Sequence, residues 1–453
     1  MDTKQLRQKI LDLAIRGKLV PQDPNDEPAS VLLERVKAEK ERLIAEGKIK
    51  RSKKSASSSD KPHYPFEIPD SWEWVRLDEI SKIGTGATPS TKDSSYYNNG
   101  TICWVNSSKT NCEFITEPTT YITQKAIDET NCTIYPIGAI IMAMYGEGKT
   151  RGQISELKIF SATNQACAAI VPFIDEYKDF IKIFLKANYW KIRTLAEGGL
   201  QPNLNLKKIS SYLIPMAPLA EQERIGVEVE KLMSFVDEIE QSTSLMNYSL
   251  SQVKAKILEL AISGKLVPQD PADEPAEVLL KRVNPNAVVS ADTSHYQHLP
   301  QGWCVCKLEV IVEYEQPQRY IVESTEYSDA YKTPVLTAGK SFVIGHTNET
   351  AGVFNKVPVI IFDDFTTDSK YVDFPFKVKS SAMKILHVNS GVNIKYVYYF
   401  MSITRLVGKT HKRYWISEYS KLDIPLPPYN EQCRIVDAIE RINNRIDDIA
   451  EAL

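Results

Sequence analysis

The segment GKLVPQDPNDEPASVLLERV at residues 17–36 returns as GKLVPQDPADEPAEVLLKRV at residues 264–283. Extending the comparison to residues 9–36 and 256–283 gives 23 identities in 28 positions, with differences at 12, 16, 25, 30 and 34. Such identity within one chain marks an internal duplication, and it decides the fold before any single element does. The block itself reads as punctuation. Pro21, Pro24 and Pro28 stop a preceding helix and force an extended turn. Asp26 and Glu27 put negative charge ahead of ASVLLERV, where a helix N-terminus favours it. Asp23, Asp26 and Glu27 resemble a metal cluster in composition, but turn and helix-start chemistry accounts for all three.

Two weaker echoes extend the repeat. IPDSWEWVRLDEI at 68–80 matches LPQGWCVCKLEVI at 299–311, an offset of 231. IPMAPLAEQERI at 214–225 matches IPLPPYNEQCRI at 424–435, an offset of 210. The order is therefore helical segment, divergent domain, helical segment, divergent domain. Offsets that shrink from 247 place extra length in the first half, around VKAEKERLIAEGKIKRSKKSASSSD and within its divergent domain. The run KIKRSKKS at 48–55 reads first as a solvated tether, with phosphate contact as the sharper alternative.

The helical segments carry a heptad seam. From Ile225 the apolar positions run Val229, Leu232, Val236, Ile239, then Thr243 and Met246, then Leu250, Val253, Ile257 and Leu260, with spacings of four and three. A helix from Pro218 to Ile262 would be roughly 67 Å long at about 1.5 Å per residue. The chain ends repeat the seam in pieces: Ile435, Ile439, Ile442, Ile446 and Ile449 at one end, Leu6, Ile10 and Leu13 at the other. By the offsets, joining the two ends would rebuild the central helix with only positions 244–247 missing. The expected fold is α+β: two α/β domains held apart by long antiparallel coiled-coil helices, one continuous and one split, in an internal pseudo-twofold repeat. Its divisions are a helical region and basic linker at 1–62, a divergent domain at 63–217, a central helix, block and linker at 218–294, a second divergent domain at 295–427, and a closing helix at 428–453.

Composition narrows the functional classes. The 453 residues are 43% apolar and 25% charged, enough for two or three folded domains. A net charge of −3 argues against a uniformly basic coat, and leaves room for local patches. Seven cysteines form no C-x-x-C pair, which fits a reducing compartment and gives no zinc signature. The charged start MDTKQLRQK is unlike a signal peptide, and the longest apolar run, 137–145, is too short to span a bilayer; a cytoplasmic protein is expected.

Enzyme motifs are near-misses. AMYGEGKT at 143–150 loosely copies a phosphate loop, but a phosphate loop must open a helix, and ISELKIFS beyond it reads as strand. VIIFDD at 359–364 mimics an acidic strand end in the other half of the chain. LPPY at 426–429 resembles an amino-methyltransferase motif, yet Leu426 cannot accept a hydrogen bond from a target amino group. Gly84 to Gly86 is too brief for a methyl-donor loop, and six scattered histidines form no triad. No catalytic or metal-binding residue is assigned.

Binding is better represented. Between 374 and 417 stand eight basic residues and no acid: Lys377, Lys379, Lys384, Lys395, Arg405, Lys409, Lys412 and Arg413, followed by Tyr414 and Trp415. The repeat-related window 180–215 holds Lys182, Lys186, Lys191, Arg193, Lys207 and Lys208 against Glu197 alone. Lys149, Arg151 and Gln153 occupy a Gly-rich stretch of the first divergent domain. Basic segments beside aromatics suit phosphate contact and base stacking, whereas Arg and Gln also pair with base edges. The DNA-contact candidates are thus Lys149, Arg151, Gln153, Lys207, Lys208, Lys377, Lys379, Lys409, Lys412, Arg413 and Tyr414.

LRQKILDLAIRGKLVPQDPNDEPASVLLERV, its copy at 253–283, TPS at 88–90, QPNLNLKKISSYLIPMAPLAEQERI at 201–225 and IPLPPYNEQCRI together resemble the specificity subunit of bacterial type I restriction-modification enzymes. The resemblance covers essentially the whole chain. It implies two target-recognition domains, each reading half of a bipartite double-stranded DNA site, with helices setting their spacing. It also implies docking of two methyltransferase subunits, to which restriction subunits are added. No cofactor is expected in this chain; S-adenosylmethionine would belong to the methyltransferase, ATP and magnesium to the restriction subunit. Because the two divergent domains differ, the half-sites should differ too. Two other classes stay open: a free-standing methyltransferase or nuclease, and a coiled-coil scaffold without sequence-specific DNA binding.

Overall fold

The computed structural model describes residues 1–453 except 1, 50, 52–63, 147, 197–202, 291–295, 297, 298, 339, 340, 407–412 and 453. The chain divides into unit 1, Met1–Gln241, and unit 2, Ser242–Leu453.

In unit 1 the repeated block forms α1 (Thr3–Ile15), a proline turn and α2 (Ala29–Ala45). The Asp2 carboxylate accepts from the N–H groups of Lys4 and Gln5 and caps α1. Gly17 ends that helix at φ 64°, where a Cβ would lie 2.5 Å from the Pro69 ring. α2 starts at Pro28 with no side-chain cap. Asp26, expected to serve that helix start, instead pairs with Arg224.

The divergent part of unit 1 runs β1 (Glu73–Arg76), α3 (Leu77–Ile80), β2 (Ser81–Thr85), β3 (Ile102–Val105), β4 (Phe114–Ile115), β5 (Thr120–Ile122), α4 (Gln124–Glu129), β6 (Ile134–Tyr135), β7 (Ile140–Ala143), β8 (Ile154–Leu157), β9 (Ser161–Thr163) and β10 (Cys167–Pro172). Helices α5 (Lys178–Ala187), α6 (Tyr189–Thr194) and α7 (Leu206–Ser210) follow, and β11 (Leu213–Met216) returns antiparallel to β1. One sheet has the order β2-β10-β7-β8-β4 and another β5-β3-β9-β6. Strand β7 is apolar on both faces for a reason. Its alternate residues Ile140 and Met142 face a core with Phe180 and Phe184 of α5, while Ile141 faces Val105 and Leu157.

Helix α8 (Leu219–Ile262) begins one residue after the expected Pro218 and belongs partly to each unit. Unit 2 then repeats the plan with α9 (Ala276–Val283), β12 (Cys304–Lys307), α10 (Leu308–Ile311), β13 (Val312–Glu315), β14 (Thr333–Leu336), β15 (Val343–Thr347), β16 (Val359–Asp363), β17 (Ser369–Val372), β18 (Lys377–Val378), β19 (Met383–Val388), α11 (Ile394–Ile403), α12 (Tyr414–Ser417), β20 (Asp423–Leu426) and α13 (Tyr429–Ala452). Its sheets, β13-β19-β16-β17 and β15-β14-β18, reproduce those of unit 1 without counterparts of β4 and β6 among the described residues.

The duplication reaches single hydrogen bonds. The Leu77 N–H donates to the Tyr212 carbonyl at 2.9 Å, and the Leu308 N–H to that of Leu422 at 2.9 Å, closing the neck of each divergent domain. Glu221 of α8 accepts from Trp72 Nε1 at 2.9 Å and from Gln22, and Glu431 of α13 accepts from Trp303 Nε1 at 3.0 Å and from Gln269. Each glutamate ties the repeated block, the start of the divergent domain and a long helix together. Burial pushes both carboxyls above the usual range, against the hydrogen bonds that hold them. The pairs Asp26–Arg224 and Asp273–Arg434 stand beside the two nodes.

The heptad seam is buried only in part. Within unit 1, Ile10, Val229 and Val236 are buried, Leu6 and Leu232 pack against the same core, and Leu13 and Ile239 are half-buried. Arg7 of α1 reaches Asp237 and Glu240, whereas Gln22 beyond it meets Glu221, so α1 and the first part of α8 run antiparallel. Within unit 2, Ile257 packs with Ile435, Ile439 and Ile446, and Leu250 and Ile442 adjoin that cluster. Leu260 is half-buried. Lys254 pairs with Asp447 and Gln269 with Glu431, again antiparallel. Val253 is 47% exposed and Ile449 49% exposed, which removes both from the expected continuous seam, and Met246 is exposed as well. Apolar spacing alone carries no information on where a covering element ends.

Candidate nucleic-acid interface

The same corner is built once in each unit, where a sheet hairpin meets the segment after the major helix. In unit 1, β7 ends and the Met144 N–H donates to Ala166 while the Met144 carbonyl accepts from the Leu204 N–H at 3.1 Å. In unit 2, β16 ends and the Asp364 N–H donates to Ala382 while its carbonyl accepts from the Tyr414 N–H at 2.9 Å. Leu204 and Tyr414 differ by the offset of 210 found in sequence. What each corner carries is different, as the divergence of the two domains requires.

The unit 1 corner bears the Gly-rich loop between β7 and β8. Gly146, Gly148 and Gly152 all have positive φ, and a strand follows the loop, so no helix N-terminus meets a phosphate here. Lys149 is exposed, with Arg151 and Gln153 half-buried. Two side chains of α6 hold the loop from behind. The Arg193 guanidinium donates to the carbonyls of Gly148 and Arg151 at 2.5 Å each, and the Tyr189 hydroxyl donates to that of Lys149. Arg193 also lies over the rings of Tyr189 and Trp190, at 5.3 and 5.6 Å, and Trp190 is 64% exposed. A polar cavity of about 390 Å³ opens beside Gly152 and Gln153, lined also by Asn111, Glu113 and Lys186.

The unit 2 corner has a short turn between β16 and β17. Asp363 accepts from the N–H groups of Phe365 and Thr366, and Thr367 takes φ 57°. Arg405 pairs with Asp368, and Arg413 is exposed where α12 begins. Beneath the turn, Lys384 and Asp364 form an ion pair with both side chains 1% exposed. Asp364 also accepts from the Trp415 N–H at 2.8 Å.

The candidates separate accordingly. Lys149, Arg151, Gln153 and Arg413 fall on the two equivalent corners, and Lys379 is exposed just before the Ser380–Ala382 turn bonded to Asp364. Lys207 is exposed on α7, while Lys208 is half-buried with its ammonium on the Leu195 carbonyl. Lys377 is not a surface cation. It is 3% exposed, with its ammonium 2.6 Å from Glu349 and 2.8 Å from the Ala351 carbonyl. Tyr414 is also a core residue rather than a stacking surface, 4% exposed in the cluster that holds Trp415 and Tyr419. Lys409 and Lys412 lie outside the described residues. Tyr189, Trp190 and the bracing role of Arg193 were not singled out from sequence, although the adjacency of YWKIR offered a signal.

A second charged feature supports the unit 1 sheet. Glu156 of β8 is 2% exposed, with Lys158 and Lys182 each 2.7 Å away and Lys178 at 3.4 Å. Burial alone would raise its pKa, but the hydrogen bonds and charges of these lysines outweigh it and hold the carboxyl at about 2. Of these three cations Lys182 belongs to the acid-poor window 180–215, and its role here is structural. No group of three or more His, Cys, Asp or Glu among the described residues could hold a metal ion, and no described helix is long and apolar enough to cross a membrane.

Comparison with known proteins follows this division. The family described as "Type I restriction modification DNA specificity domain" matches residues 69–245 and again 300–453. The chain is 51% identical over 123 residues to the type I restriction enzyme EcoR124I/EcoR124II specificity subunit of Escherichia coli, covering 26% of this chain and 30% of that one. It is 31% identical over 380 residues to the EcoAI specificity subunit of Escherichia coli, covering 69% of this chain and 62% of that one. The chain thus spans less than two thirds of the length of either relative. A solved structure from work on complex assembly and conformational transition of the type I R-M system shares the fold, with TM-score 0.58 and 16% identity over 86% of this chain and 94% of that one. The family match falls once on each divergent domain with the helix that follows it, and the chain belongs to the type I restriction modification DNA specificity domain family.

Proposed function

We propose that the chain is the DNA-recognition subunit of a type I restriction-modification complex, with no catalytic step of its own. Domains at 63–217 and 295–427 would each read one half of an asymmetric bipartite site in double-stranded DNA. The helices would space them in coiled-coil fashion and dock two methyltransferase subunits, through which restriction subunits join. S-adenosylmethionine would be bound by the methyltransferase, ATP and magnesium by the restriction subunit, in a cytoplasmic setting. One observation carries this reading: a duplicated frame, equivalent down to single hydrogen bonds at the neck and the glutamate node, supports two corners with different loops and charges. A catalytic pair would demand the same chemistry twice, whereas two readers of unlike half-sites demand a constant mount and a variable surface.

Co-production with a methyltransferase partner and genome-wide mapping of methylated adenines tests it. Methylation is expected at a split motif with two different halves, and only when this chain is present. A partner that methylates the same motif alone, or methyl transfer by this chain alone, would contradict the reading.

A further inference from the structure

The Gly-rich loop of unit 1 is held by three of its carbonyl groups. Gly148, Lys149 and Arg151 each have their carbonyl taken by α6, two by the single guanidinium of Arg193 and one by Tyr189. Gly152 completes the fit. At φ 84° its missing side chain leaves room for the loop to lie on Arg193, whose Cγ would stand 3.1 Å from an added Cβ. The stack of Arg193 over Tyr189 and Trp190 fixes the guanidinium in turn. A planar fork holding two carbonyls three residues apart sets the direction of the residues between them, as one point charge cannot.

We infer that Arg193 is a specificity-positioning residue for the first half-site: its fork fixes the 148–152 loop so that Lys149, Arg151 and Gln153 meet DNA in one register. This rests on the DNA-recognition reading above. Base discrimination through paired hydrogen bonds depends on placement of both donor and acceptor, so a loop freed from its brace keeps its charge and loses its choice.

The test uses the full chain co-produced with its methyltransferase partner, with methylated sites mapped for wild type, Arg193→Lys, Arg193→Gln and Tyr189→Phe. Arg193→Lys and Arg193→Gln should both relax base preference in half-site one by about ten-fold, with half-site two unchanged. Tyr189→Phe, which loses one loop bond and keeps the ring, should relax the same positions by less. Retention of charge makes the lysine variant decisive. If Arg193→Lys kept the wild-type motif, the fork would not set the loop's register and the assignment would be overturned. Equal loss at both half-sites, or no change in any variant, would overturn it too. A wild-type complex with no sequence preference would overturn the recognition reading itself, and that outcome is visible before any variant is compared.

Discussion

Trp72→Ala is expected to destabilise unit 1 by roughly 3–5 kcal/mol, the range for removing a buried tryptophan. Trp72 is 4% exposed and meets Phe180 edge to face with ring centroids 5.6 Å apart. Its removal opens a cavity at the joint of α1, β1 and α8, and takes a donor from the buried Glu221. Trp72→Phe keeps most of the packing and loses only the donor, so about 1–3 kcal/mol is expected. The twin Trp303→Ala should act on unit 2 and cost less, because Trp303 is only half-buried. Hydrogen exchange resolved along the chain checks all three. Protection should fall in the unit that carries the change; a uniform fall across both units from Trp72→Ala would contradict the local role of the node.

Glu156→Ala should also be damaging, at roughly 3 kcal/mol, the lower end of the range for breaking a buried pair, because it leaves Lys182 and Lys178, with side chains only 11% and 14% exposed, paired only to the exposed Asp179 and Asp175. The sign of its pH dependence follows from the lowered pKa. Held at about 2 in the fold against an ordinary 4.5, the Glu156 carboxyl contributes stability that is complete above the ordinary value and is lost as pH falls towards about 2. A shift of this size corresponds to roughly 3 kcal/mol. Glu221 and Glu431 act in the opposite sense. Their carboxyls are raised by burial, so their contribution is fullest below the ordinary glutamate pKa and declines as pH rises through the folded value. Acid unfolding of β8, followed by exchange between about pH 4.5 and 2, should therefore be steep in wild type and shallow in Glu156→Gln. Equal slopes would show that the lysine cluster does not set the acid limit of unit 1.

How far the sequence reaches is clear from particular residues. The duplicated block, the offsets and the span of α8 were legible because helix periodicity, proline stops and internal identity are local signals. Lys377 and Tyr414 were misread because what takes each off the surface is distant in sequence: Glu349 stands 28 positions before Lys377, and Tyr414 bonds to Asp364, 50 positions earlier. A basic window cannot distinguish a cation that faces solvent from one that neutralises a buried acid. The brace at Arg193 was hidden in the same way, its two carbonyl partners lying 45 and 42 positions upstream. Glu156 shows the converse, one buried acid that draws in three lysines, two of which also pair with Asp175 and Asp179. Val253 and Ile449 kept the heptad spacing but not the burial, since a seam in sequence states which positions could be covered and not which are.

The central claim is that a constant frame mounts two interchangeable readers, and one substitution of parts tests it directly. The equivalent neck bonds, Leu77 to Tyr212 and Leu308 to Leu422, mark where residues 308–422 can replace residues 77–212. The resulting chain, co-produced with the methyltransferase partner, should direct methylation to a site in which the second half-site occurs twice and the first is absent. Methylation that still followed the original pair of unlike half-sites would contradict the account.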